Sequence, residues 1–361
     1  MADLAFIAPA KTTTVTFELA PAHNALSSLI LLNERLSGFG EWVHQTVAEL
    51  PQDLLQTNEL VAASASIFID DQSWPNFSAF LDHLDSLDPH EMCKRDVEAM
   101  LKTAASYLKD EVTNFPTPQD FLADEGRYLS YIEKFYSCKD HPFDEARSRR
   151  EYALLIDPPA RKALMVSHLR MMWDRVVADE WEHQLPMLRE CVMAFDSLDF
   201  AGLSTEEIVQ QVVDREIPHE WEGLFEKLEE VILIPSPHIG PYLLMISQTE
   251  KTAKIIFGAR MPKGVKIQSP DLNRTELIAR MSALANDTRL SILHSLSQEG
   301  ELGSQDIMNR LDLSQSAASR HLQHLKATGY IVERTRGSSK YYRLNQDRID
   351  DMFQALKDFL K

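Results

Sequence analysis

The sequence predicts a mainly α protein with small β elements. A helical N-terminal domain with a short antiparallel meander comes first, then a unit of three short helices and a β-hairpin. Three observations predict this. Apolar residues recur at helical spacing through most of residues 21–213 and again over 274–325. Short β-rich runs parted by Pro, Gly or polar turns occur at 12–19, 230–259 and 330–344. Charge divides the chain as well: of 37 Lys/Arg and 55 Asp/Glu, 13 and 12 lie in residues 271–361, so the net charge of −18 belongs to what precedes them. The expected domains are therefore an acidic one, 1–265, serving sensing or dimerisation, and a near-neutral one, 271–361.

TTTVTFEL (12–19) is rich in β-branched residues and reads as a strand. Pro21 opens a helix to about residue 35, and helices are expected at 41–49, 53–63, 76–84 and 90–110. Thr117-Pro118 is a cap followed by proline, the start of a helix through Tyr136; residues 138–142 read as a loop. Asp157-Pro158-Pro159 opens the longest helix, to about Phe195, with a kink or break expected near Pro186. Ser204 and Glu207 form a capping box for a short helix to Val213. The period then shortens. Residues 230–235, 242–248 and 252–259 read as the three strands of the meander, and 261–270, with Pro262 and Pro270, as the linker.

In the second domain Asn286 or Asp287 caps a helix carrying Leu290, Leu293 and Leu296, and Gly300 stops it. Gly303 precedes the next helix, with Asp306 in its first turn and Ile307 and Leu311 on its buried side. After a turn at Asp312-Leu313, Ser314 caps a third helix that buries Ala318, Leu322 and Leu325 and ends at Gly329. Its opposite face is Gln315, Ser316, Ser319, Arg320 and Gln323. Short or polar side chains near a helix N-terminus suit base edges in a major groove; a plain solvated face is the competing reading. The runs 330–336 and 340–344, joined through Gly337, Ser338 and Ser339, form a hairpin flanked by Arg334, Arg336, Lys340 and Arg343. Residues 314–345 hold six Lys/Arg against one acid, Glu333. A cationic hairpin beside a polar helix tip suits a phosphate backbone. The expected DNA-contacting set is Ser314, Gln315, Ser316, Ser319, Arg320, Gln323, Arg334, Arg336 and Lys340.

ANDTRLSIL, ELGSQDI, LSQSAASRHLQHLKATGYI and GSSKYYRL, in this order, resemble the ArsR-type winged helix-turn-helix regulators over residues 274–361. The resemblance implies a homodimer that binds double-stranded operator DNA with a palindromic sequence and is released, as a repressor, by an effector. It places Gln315, Ser316, Ser319 and Arg320 on the recognition helix, and Arg336 and Lys340 on the wing. Metal-sensing members carry a Cys-x-Cys pair where this chain has Gly303 and Gln305, neither a thiolate ligand. The last helix offers Asp347, Asp350, Asp351 and Asp358 but no His, so metal sensing in this domain is not expected. A fainter likeness links the VTFEL…ALSSL start to N-terminal domains of uncharacterised function fused to some ArsR-type regulators.

Two helices flank the unit. Residues 274–284 carry Leu277, Ile278, Met281 and Leu284; residues 346–360 carry Ile349, Met352, Phe353, Leu356 and Leu360. Leu277, Met281, Ile349, Met352, Phe353 and Leu356 are the expected dimerisation residues, because nothing later in the sequence covers the last stripe. The competing reading folds that stripe onto the N-terminal domain. Two-fold symmetry would set two recognition helices about 34 Å apart, one DNA turn.

The acidic domain shows no Gly-rich phosphate loop, no GxSxG elbow and no HExxH, so no catalytic residue and no cofactor is expected. Glu41-x-x-His44 and Glu180-x-x-His183 have the spacing of bundle metal ligands, but ordinary amphipathic surfaces explain them as well; His219-Glu220-Trp221-Glu222 is weaker still. A Met- and Trp-rich stretch, 161–200, suits either a core or an apolar ligand pocket. The alternative to a DNA-binding regulator is therefore an enzyme or metal-binding helical domain fused to an autoregulatory winged helix; a protein-interaction role for the winged helix is the third reading. Cys93, Cys138 and Cys191 are scattered and form no CxxC, which suits a reducing cytoplasm. MADLAFIAPAK does not read as a signal peptide, and no apolar run is long enough to span a bilayer.

Overall fold

The computed structural model describes residues 13–34, 36–69, 72–107, 116–138, 143–218, 221, 223–249, 251–262, 270–336 and 339–360. Strand β1 (Thr14–Phe17) is followed by helices α1 (Pro21–Leu31), α2 (Glu41–Glu49), α3 (Gln52–Ala65), α4 (Phe77–Ser86), α5 (Pro89–Tyr107), α6 (Pro118–Leu122), α7 (Glu125–Cys138), α8 (Glu145–Leu155), α9 (Pro158–Met172), α10 (Ala178–Asp196) and α11 (Thr205–Val213). Asn76, Thr117, Asp144 and Asp157 each accept a backbone N–H in the first turn of the helix they precede. Ser204 and Glu207 close the expected reciprocal box.

Strands β2 (Glu230–Ser236), β3 (Leu243–Gln248) and β4 (Thr252–Gly258) join β1 in one sheet of order β1-β2-β4-β3. β1 pairs with β2 and β2 with β4 in parallel; only β3 and β4 are antiparallel. The expected three-stranded antiparallel meander is thus corrected to a mixed sheet. Its cause is burial on both faces. Val231, Leu233, Ala253, Ile255 and Phe257 face a core shared with α10 and α11, while Ile232, Ile234 and Ile256 face a second core built with α1, α3, α4 and α9. Strands buried on both sides read as near-continuous apolar runs, as VILI and IIF do here.

The remaining chain forms α12 (Pro270–Leu284), α13 (Asp287–Glu299), β5 (Glu301–Gly303), α14 (Ser304–Leu311), α15 (Gln315–Ala327), β6 (Ile331–Arg336), β7 (Ser339–Leu344) and α16 (Gln346–Phe359). β5-β7-β6 is a separate antiparallel sheet. Ile292, Leu296, Ile307, Leu325, Tyr330 and Met352 fill a core of their own beneath it. The three short helices and hairpin thus stand as expected, with β5 as an added strand. Leu290, expected on the buried stripe, is 49% exposed, and Ile292 takes its place.

Two helix boundaries also differ. The long helix is interrupted by a π-helical turn, Trp173–Val177, and Pro186 lies inside an unbroken α10. An extra residue in a helical turn resets the phase of both flanking helices, and no residue type announces it. The helix expected through Tyr136 is two, because Asp124 accepts the Arg127 N–H at 2.8 Å and restarts it. α8 carries too few apolar residues to declare itself in the sequence. The linker stretch 263–269, loop residues 139–142, His219, Glu220, Glu222, Gly337 and Ser338 lie outside the described residues. Among the described residues no helix is long and apolar enough to cross a membrane.

Candidate nucleic-acid interface

The tip of α15 is set by its caps. Ser314 has extended backbone and its Oγ accepts the Ala317 N–H. Asp312, with φ of 51°, turns the chain between α14 and α15, and Leu313 N–H donates to Met308 O at 3.0 Å. At the far end Gly329 has φ of 79°, Tyr330 N–H donates to Leu325 O, and the Tyr330 hydroxyl donates to Arg280 O of α12 at 3.1 Å. Ala318, Leu322 and Leu325 are buried. On the other side Ser314, Gln315, Ser316, Ser319, Arg320 and Gln323 are all exposed. The Arg320 side chain folds back, its Nε donating to Ser316 O at 3.3 Å.

Arg334, Arg336 and Lys340 are exposed on the hairpin, with Thr335 opposite Lys340 and Arg336 opposite Ser339. Their charge is partly answered within the domain. Arg336 pairs with Glu301 at 2.8 Å and lies over the Tyr341 ring; Lys340 and Lys326 share Glu333 at 3.4 and 3.1 Å. Burial pushes the Glu333 carboxyl up, but the two lysines and the Tyr342 hydroxyl outweigh it and hold it below its usual value. A phosphate must therefore compete with Glu301 and Glu333. The Arg336–Glu301 pair is partly exposed and of the kind worth about 0–1 kcal/mol, whereas the Glu333 side chain is only 7% exposed, so Lys340 is the more firmly held of the two.

The C-terminal half of α15 does something the sequence does not signal: it docks on the N-terminal domain. His324 is 1% exposed, and its Nδ1 lies 2.8 Å from Ser37 Oγ. Arg289 of α13 donates to the same hydroxyl, and the Tyr242 hydroxyl donates to Ser37 O at 2.6 Å. Gly38, with φ of 99°, sits against the His324 ring so closely that a Cβ there would clash. Burial, with Arg289 and His321 nearby, lowers the His324 pKa to about 4. Ala327 joins the core of the N-terminal domain. Below it, Asp214 Oδ2 accepts from Arg260 at 2.9 Å, from Arg280 of α12 at 3.1 Å, and from Arg348 of α16. Asp214 has φ of 51°, so one left-handed residue after α11 aims a carboxylate at both domains.

The dimerisation candidates divide. Leu277 and Met352 are buried, at 4% and 2% exposed, Met352 within the domain core; Ile349 and Leu356 are half-buried; Met281 and Phe353 are 41% and 51% exposed. Gly303 ends β5, and the Gln305 amide donates to Asn309. Glu41, Glu180 and His183 line one cleft of about 330 Å³ that does not include His44. Among the described residues no three His, Cys, Asp or Glu side chains converge as a metal site.

Comparison with known proteins adds the following. Residues 286–332 match the family model described as "Bacterial regulatory protein, arsR family". The "Transcriptional activator HlyU" of Vibrio cholerae is 32% identical over 92 residues, covering 26% of this chain and 84% of that protein. The "Cadmium resistance transcriptional regulatory protein CadC homolog" of Staphylococcus aureus is 34% identical, over 23% of this chain and 68% of its own. The "Arsenical resistance operon repressor" of Escherichia coli K12 is 44% identical over 62 residues, 17% of this chain and 53% of that one. Among solved structures, NolR from Sinorhizobium fredii is 34% identical, over 26% of this chain and 95% of its own, with a TM-score of 0.22. The matched segments thus span from about half to more than four fifths of these relatives, always within the C-terminal quarter here. Through that quarter, this chain belongs to the ArsR family of bacterial transcriptional regulators.

Proposed function

We propose that this regulator acts as a homodimer on a palindromic operator, most simply as a cytoplasmic repressor, and that its residues 1–265 sense a non-metal effector. Ser314, Gln315, Ser316, Ser319, Arg320 and Gln323 read base edges, while Arg334, Arg336 and Lys340 hold phosphates. The observation that carries this is the division of α15. One face fills the domain core, the C-terminal half is held by the N-terminal domain, and the polar tip is left to solvent. Met281 and Phe353, with Leu356 beside them, form the partner-facing surface; Leu277, Ile349 and Met352 support it from beneath. Gly303 and Gln305 offer no thiolate, so the signal enters through the larger domain.

Selection of bound duplexes from a random pool tests the reading. Enriched sequences should be inverted repeats with half-sites one helical turn apart, about 10 base pairs. Enrichment of asymmetric sites would remove the dimer, and no enrichment at all would remove sequence reading by α15.

A further inference from the structure

Behind the docked end of α15 lies a small pocket with a distinctive wall. Arg215, Arg260, Arg280 and Arg348 all line it, and among the described residues no Asp or Glu does. The four come from both domains: Arg215 and Arg260 from the N-terminal one, Arg280 from α12 and Arg348 from α16. Asp214 meets three of these guanidiniums through a single oxygen but is not part of the pocket wall. Arg215 is different: its hydrogen bond is to Ala327 O at 3.1 Å, a neutral carbonyl. Burial and the neighbouring charges of Arg348 and Arg260 lower its pKa to about 10, so it is held charged in a place that disfavours cations.

The position in the fold points the same way. The pocket opens at the carboxyl ends of the parallel strands β2 and β4, between Ser236-Pro237 and Gly258-Ala259. Crevices at the carboxyl ends of parallel strands are where α/β sheets bind ligands. Gly240, with φ of 61°, lets the loop after β2 pass against Gly38 and Gly258 without side chains filling the space. The volume is about 60 Å³. One water needs roughly 10–15 Å³ of such space, so the pocket takes a group of about four to six heavy atoms.

We propose that this pocket is an effector site for a small oxyanion, a phosphate or carboxylate group, clamped by Arg215 with Arg260, Arg280 and Arg348. Guanidiniums bind such groups through paired N–H donors, and a site shared by two domains ties ligand binding to their docking. The anion fastens α12, α15 and α16 to the sheet and so fixes where the reading tip stands relative to the acidic domain. This deepens the sensing role given above to residues 1–265 and rests on it for its effect on DNA, though not for the binding itself.

Calorimetric titration of the full chain with sodium phosphate, and separately with sodium acetate, tests it, with sodium chloride held at matched ionic strength. At least one anion should bind saturably with one site per chain, and should raise Tm by about 3 °C at a hundredfold excess over Kd. Arg215→Gln should lose that binding at least tenfold, and Arg215→Lys should retain part of it. The phosphate and acetate arms tell which group the pocket prefers. If neither anion binds saturably to the unaltered chain up to about 10 mM, or if Arg215→Gln folds and binds as before, the site is overturned. Operator affinity measured with and without the bound anion then reads the coupling. A chain that binds the anion but no DNA would overturn the regulator reading and leave the pocket standing.

Discussion

Ser37 and His324 lie 287 residues apart in sequence and 2.8 Å apart in space, one on the loop after α1 and the other on the helix that carries the proposed reading face. Through this contact the orientation of α15 is a property of both domains. The His324 ring is buried, and its Nε2 has no hydrogen-bond partner among the described residues.

Acid should loosen this joint. The folded pKa of His324, about 4, lies below the ordinary histidine value, so the unfolded or undocked chain binds the proton more readily. Stability from this group is complete above about pH 6.5 and is lost as pH falls toward 4. Lowering pH from 7 to 5 should cost about 2 kcal/mol at this residue. His168, also lowered to about 4 by burial, contributes in the same direction. Denaturant midpoints across this range should fall with acid, and His324→Gln should flatten the slope; an unchanged slope would reject the assignment.

Gly38→Ala should act on the same joint without altering charge. The backbone there has φ of 99°, and a Cβ would press into the imidazole of His324. Hydrogen exchange of amides in the C-terminal half of α15 should quicken at least tenfold, while α4 and α9 keep their protection. Equal protection in both proteins would show that the ring can move aside.

Asp214→Asn should be among the most damaging single changes. It leaves Arg260, Arg280 and Arg348, each with a side chain no more than 11% exposed, facing one another without that carboxylate. Removing one partner of a buried charge pair costs about 3–5 kcal/mol. Thermal melting should show a loss of that size, and a loss under about 1 kcal/mol would mean the guanidiniums re-pair elsewhere.

Arg320→Ala and Lys340→Ala should separate the two kinds of DNA contact. The first removes an exposed side chain at the helix tip and should lower discrimination between operator and scrambled duplex by about 1–3 kcal/mol. The second should weaken both duplexes alike and reduce the salt slope by about one. Fluorescence anisotropy at several salt concentrations measures both, and a converse pattern would reassign the faces.

Met281→Lys combined with Phe353→Lys should leave the fold intact, since both side chains are exposed. Sedimentation should then show a shift from dimer to monomer at micromolar concentration. A dimer that survives both charges would have to use another surface.

The C-terminal unit was legible because its signals are local. Ser314, Asp312, Gly329 and Gly300 each set a turn or cap within a few residues, and alternation locates the hairpin. The sheet was half legible. Residues 230–259 show their strands, yet the continuous run VILI marks burial on two faces, and that favours parallel pairing over the alternation of a meander. β1 supplies the partner from over 200 residues away, at Thr14 opposite Glu230, a separation that no local pattern carries. The docking of His324 had no signature either. On a helical wheel it reads as one more polar position, and only the folded N-terminal domain brings Ser37, Gly38 and Tyr242 to meet it. Asp214 and its three arginines are scattered over 134 residues and converge only in space.

The pairing of Thr14 with Glu230 also orders events during synthesis. Every helix from α1 to α11 is made before the first strand can find its neighbour, and β4, which completes the pairing of β2, comes later still. Until then TVTF is a β-prone segment without its sheet partner on a nascent chain, suited to wrong partners. A translation product halted just after Val213 would hold most of the helical mass yet lack the sheet that closes its two cores. Such a fragment should aggregate.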